Sequence, residues 1–271
     1  MPAVKARPDE TVDGAFPPPP IPKTALVTGA ARRIGRALSL SLVEAGFAVA
    51  IHHHQSHDDA AALVGEIERY GGKAVALAAD LSDEAATAAL LPQATAALGP
   101  IGVLVNNAST FENDTIASAT RESWDWHMEV NLRAPFVLSQ AFARQLPETA
   151  GGVVVNLLDQ RVWCPTPYFM TYTVSKSALW TLTQTMAMAL APRIRVNAIG
   201  PGPTLPSPRQ SREQFERQFR AMPLQRGTSP QEIAAALRFI LGAPAMTGQM
   251  IALDGGQHLG WAQPSQSVTV E

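Results

Sequence analysis

Seven short, mostly apolar runs recur along the chain, at Thr24–Val27, Ala48–His52, Ala74–Ala78, Val103–Asn106, Val153–Leu157, Arg195–Ile199 and Met250–Leu253. No other feature limits the possible folds as much. A strand with one wet face alternates apolar and polar residues, whereas a continuous run belongs to a strand covered on both faces. Such strands pair in parallel, and each parallel connection must be long enough to hold a helix. The segments Ile34–Ala45, Asp58–Tyr70, Asp83–Ala97, Leu132–Gln145, Tyr172–Leu190 and Pro230–Leu241 have helical length and apolar spacing. The pattern predicts an α/β fold: one doubly wound, seven-stranded parallel sheet flanked by helices.

Composition bounds what such a domain acts on. With 21 basic against 23 acidic residues, bulk charge offers no attraction to nucleic acid or an anionic membrane, and a small-molecule substrate is expected. No apolar run reaches the length of a membrane span. A single cysteine, Cys164, excludes an internal disulfide framework and a thiolate metal cluster, so a reducing cytoplasm is the expected compartment.

The ends differ from the middle. The first 23 residues carry seven of the 22 prolines, four of them consecutive at positions 17–20. Residues 1–22 therefore read as a disordered or polyproline-like extension, with Asp9, Glu10 and Asp13 arguing against a transit peptide. Residues 23–262 read as the single folded domain and 263–271 as a polar tail. A second proline cluster, Pro201, Pro203, Pro206 and Pro208, follows the sixth run and precedes Arg212–Met222, where a loop over an active site is expected.

The first strand runs into Thr28-Gly29-Ala30-Ala31-Arg32-Arg33-Ile34-Gly35-Arg36-Ala37. Gly29 permits a tight turn and Gly35 a close strand–helix approach, and the free N–H groups at the helix start favour a dinucleotide's pyrophosphate, as in Rossmann-type folds. With this loop the chain resembles the short-chain dehydrogenase/reductase family, whose pattern is Thr-Gly-x-x-x-Gly-x-Gly. Arg33 stands where the middle glycine belongs, as it does in the pteridine reductase branch. That resemblance implies an arginine reaching both cofactor phosphate and substrate; the simpler reading is that Arg33 only neutralises pyrophosphate.

The second strand bears on the choice of cofactor. A site for NAD would place an acid near its end to hold the ribose hydroxyls. Here the chain reads Ile51-His52-His53-His54-Gln55-Ser56, with Arg32 able to approach from the first loop. His53, His54, Gln55, Ser56 and Arg32 would meet a 2′-phosphate with donors and positive charge, so NADP(H) is expected. Gln55 replaces the arginine found in the pteridine reductases. The three histidines are not read as a metal site, because alternation puts His52 and His54 on one face and His53 on the other. The resemblance further implies that Asp80 and Leu81 contact adenine, that Asn107, Ala108 and Ser109 lie along the cofactor, and that Pro201 and Gly202 adjoin the nicotinamide carboxamide. Ser109 stands for the family glycine, as in the pteridine branch. There Phe111 would stack on the pterin; without the resemblance it reads equally as a core aromatic.

Tyr172 and Lys176 lie four residues apart at the start of a helical pattern, hence on one face. A phenol with pKa of about 10 is a poor acid or base at neutral pH unless a cation stabilises its phenolate. Lys176 is expected to be that cation and, by resemblance, to hold the nicotinamide ribose, with Asn131 anchoring a water that links Lys176 to solvent. Thirteen residues before Tyr172 the family carries a serine that donates to a substrate carbonyl; this chain has Asp159. An ionised carboxylate cannot donate and would repel a growing alkoxide. It suits a substrate with ring N–H groups, and pteridine reductases have an aspartate at this spacing.

Three functions follow as expectations. The first is an NADPH-dependent reductase of a pterin or dihydrofolate-like ring, with Arg33, Ser109, Phe111, Asp159 and Tyr172 around the substrate and Asp159, Tyr172, Lys176 and Asn131 as the catalytic group. The second is a carbonyl or alcohol oxidoreductase in which Asp159 is protonated and donates as serine would. The third is a non-catalytic NADP(H)-binding sensor. Asp159 simply paired with Arg161 is the plain alternative for that residue. Asp254, Gly255 and Gly256 mark the fold, Trp124, Trp126 and Trp180 read as core or subunit-contact residues, and Cys164 as inert. By resemblance, a homotetramer forms through Leu132–Gln145 and Tyr172–Leu190.

Overall fold

The computed structural model describes residues 18–206 and 211–260. Its strands are β1 (Thr24–Val27), β2 (Ala48–His53), β3 (Ala74–Ala78), β4 (Val103–Asn106), β5 (Gly152–Leu157), β6 (Ile194–Pro201) and β7 (Met250–Leu253). They form one parallel sheet in the order β3-β2-β1-β4-β5-β6-β7. The helices are α1 (Arg33–Glu44), α2 (His57–Arg69), α3 (Glu84–Leu98), α4 (Arg121–Met128), α5 (Ala134–Gln145), α6 (Met170–Leu190), α7 (Arg212–Arg220) and α8 (Pro230–Gly242). The seven-stranded Rossmann-type α/β fold expected from the apolar runs is the fold observed.

Two apolar layers explain why those runs do not alternate. Ala25, Val27, Val49, Ile51, Val103 and Val105 face Leu38 and Leu42 of α1, Leu63 and Ile67 of α2 and Leu237 of α8. The residues between them, Leu26, Ala50 and Leu104, face Leu90 of α3, Leu138 and Phe142 of α5 and Met186 of α6. Nearly all residues of β1, β2, β4, β5 and β6 are therefore buried, whichever way they point, while edge strand β3 leaves Ala76 and Ala78 exposed. Strand order reverses between β1 and β4, so a crevice opens beyond the carboxyl ends of the central strands.

The structure departs from the sequence reading in three places. Residues 18–22 are packed instead of extending freely: Ile21 lies against the core, and the Pro20 carbonyl accepts from Gly151 N–H at 3.0 Å. Two glycines make room, since a Cβ on Gly102 would fall 2.1 Å from the Pro22 carbonyl and one on Gly151 2.8 Å from that of Pro19. The helix expected from Leu132 begins at Ala134, because Glu129–Arg133 winds as a π-helical turn. α4 has no place in the apolar reading, since its sequence is mostly polar; a reciprocal capping box between Thr120 and Ser123 starts it. Residues 1–17, the tail 263–271 and Pro208 lie outside the described residues. Among those described, no helix is long and apolar enough to cross a membrane.

Candidate active site

The loop between β1 and α1 is held mainly by backbone and by buried side chains of neighbouring strands. Gly29 has φ +59°, and a Cβ on Gly35 would fall 2.1 Å from the Gly29 carbonyl, so both positions need glycine. The Thr28 hydroxyl accepts from the Asn107 and Ala108 N–H groups at 2.9 and 3.0 Å, and Asn107 Nδ2 donates to the Thr28 and Gly29 carbonyls. The N–H groups of Arg33, Ile34 and Gly35 lie in the first turn of α1, where a helix has no internal acceptors for them.

His52 is a site residue that sequence reasoning used only to count strand faces. Its Nδ1 accepts from Gly29 N–H at 3.1 Å and its Nε2 lies 3.2 Å from the Ala79 carbonyl. The neutral ring protonated on Nε2 satisfies both. Burial pushes its pKa down to about 4, against a smaller opposing effect of the Ala79 carbonyl. The period of two along β2 was the available signal, because it turns His52 inward under the loop. His53 is also buried, edge-on to His57 at 4.7 Å, with Nδ1 unpartnered among the described residues. His54 is exposed and lies 3.7 Å from Asp80, whose carboxyl is held below its usual range mainly by the N–H and hydroxyl of Ser82. Gln55 is exposed, Ser56 precedes α2, Arg32 pairs loosely with Asp59 at 3.5 Å, and Leu81 is buried.

Arg33 has φ +52°, the left-handed region that favours glycine, so the backbone keeps the family's conformation with a different residue. Its guanidinium donates to the carbonyls of Leu205 and Pro206 at 3.2 and 3.1 Å. It thereby ties the loop after β6 to the phosphate loop.

A cleft of about 940 Å³ opens beside these groups, lined by Arg33, Ser109, Phe111, Asp159, Tyr172 and Lys176 among others. The Tyr172 hydroxyl donates to Asp159 Oδ2 at 3.0 Å. Arg161 also donates to Asp159, from its N–H at 2.8 Å and from its guanidinium at 3.2 Å. The Arg161 N–H and guanidinium can only donate, so both carboxyl oxygens of Asp159 serve as acceptors. Phe111 is 38% exposed, which sets aside the core reading. Its ring stacks on Phe169 at 4.3 Å and meets Tyr172 edge-on at 4.7 Å, while the Arg161 guanidinium lies 5.6 and 5.0 Å from the Phe111 and Phe169 rings. Phe169 was not legible as a site residue; it precedes α6 in a left-handed conformation that places its ring on Phe111.

Tyr172 is not shifted toward phenolate: burial first, and then the Asp159 charge, raise its pKa well above the ordinary value, against a smaller effect of Arg161. Lys176 donates to the Leu157 carbonyl at 2.8 Å, with Nζ 5.8 Å from the Tyr172 ring centre, and burial lowers its pKa to about 8. Asn131, in the π-helical turn, binds no group of Lys176. Its Oδ1 accepts from Thr110 N–H and the Ser109 hydroxyl, and its Nδ2 donates to the Thr110 carbonyl and Ser175 Oγ. It braces the segment that carries Phe111 against α6.

A second brace escaped sequence reasoning because its members are far apart in the chain. Buried Asp114 accepts from the Thr171 N–H and hydroxyl, its carbonyl accepts from Met170 N–H, and Asn113 Oδ1 accepts from Phe169 N–H. His127 joins them at 2.8 Å from the Thr171 hydroxyl. These bonds tie residues 113 and 114 to the first turn of α6. At the far wall, Gly202 N–H bonds the Leu253 carbonyl at 2.9 Å after Pro201 ends β6, and Asp254 accepts from Gly256 and His258 N–H groups, in keeping with a fold marker. Trp124 and Trp126 are 42% and 43% exposed rather than in the core. Cys164 lies 3.9 Å from the Gly260 carbonyl and does not line the cleft.

Residues 23–217 match the family described as short chain dehydrogenase. Among curated proteins, the chain is 31% identical to the 3-oxoacyl-acyl-carrier-protein reductase FabG of Staphylococcus aureus, over 88% of this chain and 98% of that protein. Among solved structures it is similar to FolM alternative dihydrofolate reductase 1 from Brucella canis complexed with NADP, with TM-score 0.87 and 48% identity over 90% of this chain and 97% of that one. The Brucella suis protein of the same description, also in complex with NADP, gives 0.86 and 50% over 89% and 97%. The chain belongs to the short chain dehydrogenase family of oxidoreductases.

Proposed function

We propose that the protein is an NADPH-dependent reductase of a pterin or dihydrofolate-like ring. The observation that carries this reading is the Asp159 carboxylate. It accepts from Tyr172 and Arg161 beneath the stacked Phe111 and Phe169, where reduction of a ketone calls for a donor. The FolM-type structures, at 48% and 50% identity, support the same choice.

The residues fit a phosphorylated dinucleotide. Gly29, Ile34, Gly35 and Arg33 would hold the pyrophosphate, and Arg32, His53, His54, Gln55 and Ser56 the 2′-phosphate. Asp80 and Leu81 would flank the adenine, and Asn107, Ala108, Ser109, Tyr172, Lys176, Pro201 and Gly202 the nicotinamide half. When bound, the reduced nicotinamide supplies a hydride. Reduction of a ring C=N bond also needs a proton on nitrogen. Tyr172 holds a proton beside Asp159 and would pass it to nitrogen, its raised pKa making it a donor only where Lys176 stabilises the phenolate left behind. Asp159 would accept from ring N–H groups, and Phe111 would hold the ring plane. Arg161 Nε, buried and without a partner among the described residues, would donate to a polar edge. Purified protein with NADPH should reduce dihydrobiopterin, dihydromonapterin or dihydrofolate, followed by loss of NADPH absorbance; no turnover of any of the three would reject the reading.

The second reading, reduction of a carbonyl, draws support from the 31% identity to FabG proteins. It requires that Asp159→Ser preserve or raise ketone reduction. For assembly, we propose a homotetramer in which an apolar groove lined by Met128, Leu132, Phe136 and Leu182, between the π-helical turn, α5 and α6, meets a second copy. Light scattering showing a monomer would contradict it.

A further inference from the structure

The substrate end of the cleft is closed by α7, whose Gln214, Phe215, Arg217, Gln218 and Ala221 line it. Gln214, Arg217, Gln218 and Ala221 follow the spacing of a single helix face. The acids of this helix, Glu213 and Glu216, do not line the cleft, and Glu216 is taken up by Arg212 at 2.9 Å. α7 therefore turns one cation and the amide of Gln218 toward the substrate and no negative charge; Gln214 lines the same wall with its Oε1 held by the Ser211 N–H at 2.8 Å, which leaves its NH2 group to donate.

The other charges of the cleft are accounted for. Asp159 offsets Arg161, while Arg33 and Lys176 lie toward the dinucleotide loop and the floor. The Arg217 side chain has no hydrogen bond or ion pair among the described residues, and it is exposed. A neutral ring held by Phe111 and Asp159 does not use a cation at this place. We infer that Arg217, with Gln214 and Gln218, forms a subsite for a carboxylate on the substrate's side chain, so that the enzyme favours ring substrates with an acidic tail over those with a neutral one. An arginine fork beside two amide donors matches the two oxygens of a carboxylate.

This inference rests on the pteridine reading, and the experiment separates the two. The ratio of kcat/KM for dihydrofolate, which carries a carboxylate tail, to that for dihydrobiopterin, which does not, is measured in the native protein, R217K, R217Q and R217E. The ratio should fall about fivefold in R217Q, the loss expected of one solvent-exposed ion pair, and further in R217E. R217K should retain most of it, and raised salt should lower it in the native protein but not in R217Q. A ratio unchanged by R217E, with both substrates turned over, would overturn the subsite and leave the pteridine reading standing. Absence of turnover with either substrate would remove both.

Discussion

The two ends of the cleft are built by different means. At the cofactor end, glycines, backbone N–H groups and the neutral His52 ring fix a loop between two central strands. At the substrate end, Phe111, Asp159, Arg161, Phe169 and Arg217 sit on loops and on a peripheral helix, joined by hydrogen bonds between distant segments. At Gly29 and Gly35 the first end has no room for a Cβ, while the second can exchange side chains without disturbing the sheet. Contacts of this kind let the substrate side change while the dinucleotide side is kept.

The contrast is broken if changes at the two ends have the same consequences. Tyr172→Phe should lower kcat about a thousandfold, in the range of lost general-acid catalysis, while NADPH affinity measured by fluorescence titration stays within about twofold. Gly35→Ala should do the opposite kind of damage. Its Cβ has no room beside the Gly29 carbonyl, so loss of NADPH binding and about 3 kcal/mol of stability are expected in urea unfolding.

His52 sharpens the comparison through pH. Its folded pKa of about 4 lies below its unfolded value, so the unfolded chain binds more protons between about pH 6.5 and 4. Stability is therefore lost as pH falls through that window, by up to about 3 kcal/mol. Urea midpoints compared between pH 7 and pH 4 should shift less in His52→Asn than in the native protein; equal shifts would remove His52 as the cause. The smallest effect is expected at the substrate end's brace. Asp114→Ala leaves the Thr171 N–H and hydroxyl without their acceptor and should cost about 2 kcal/mol. It should raise KM for the ring substrate of the proposed reaction and leave NADPH affinity unchanged.

Legibility followed the range of the contacts. Burial on both faces writes itself into the central strands as local apolar runs, and edge strand β3 keeps an apolar run although Ala76 and Ala78 are exposed, so the strands from Thr24 to Leu253 were readable one by one, while polar α4 was missed because its stability comes from a cap and from neighbours. Arg33 was readable as an anomaly in a glycine pattern. That its guanidinium reaches the carbonyls of Leu205 and Pro206 was not, because no local pattern connects residues so far apart in the chain. Residues 18–22 were misread for a related reason: their prolines argue for an extension, and only Gly102 and Gly151 on other loops make room for them.

The sequence by itself determined the seven parallel strands, the glycine-bearing turn and the nearness of Tyr172 to Lys176, because strand period, left-handed turns and helix pitch are properties of consecutive residues. Only the tertiary structure decided that Tyr172 donates to Asp159 while Lys176 turns to the Leu157 carbonyl, that His52 anchors the loop, and that Phe169 backs Phe111. Those outcomes depend on burial and on partners brought together by the crossovers, and burial is what sets which of these groups holds a proton.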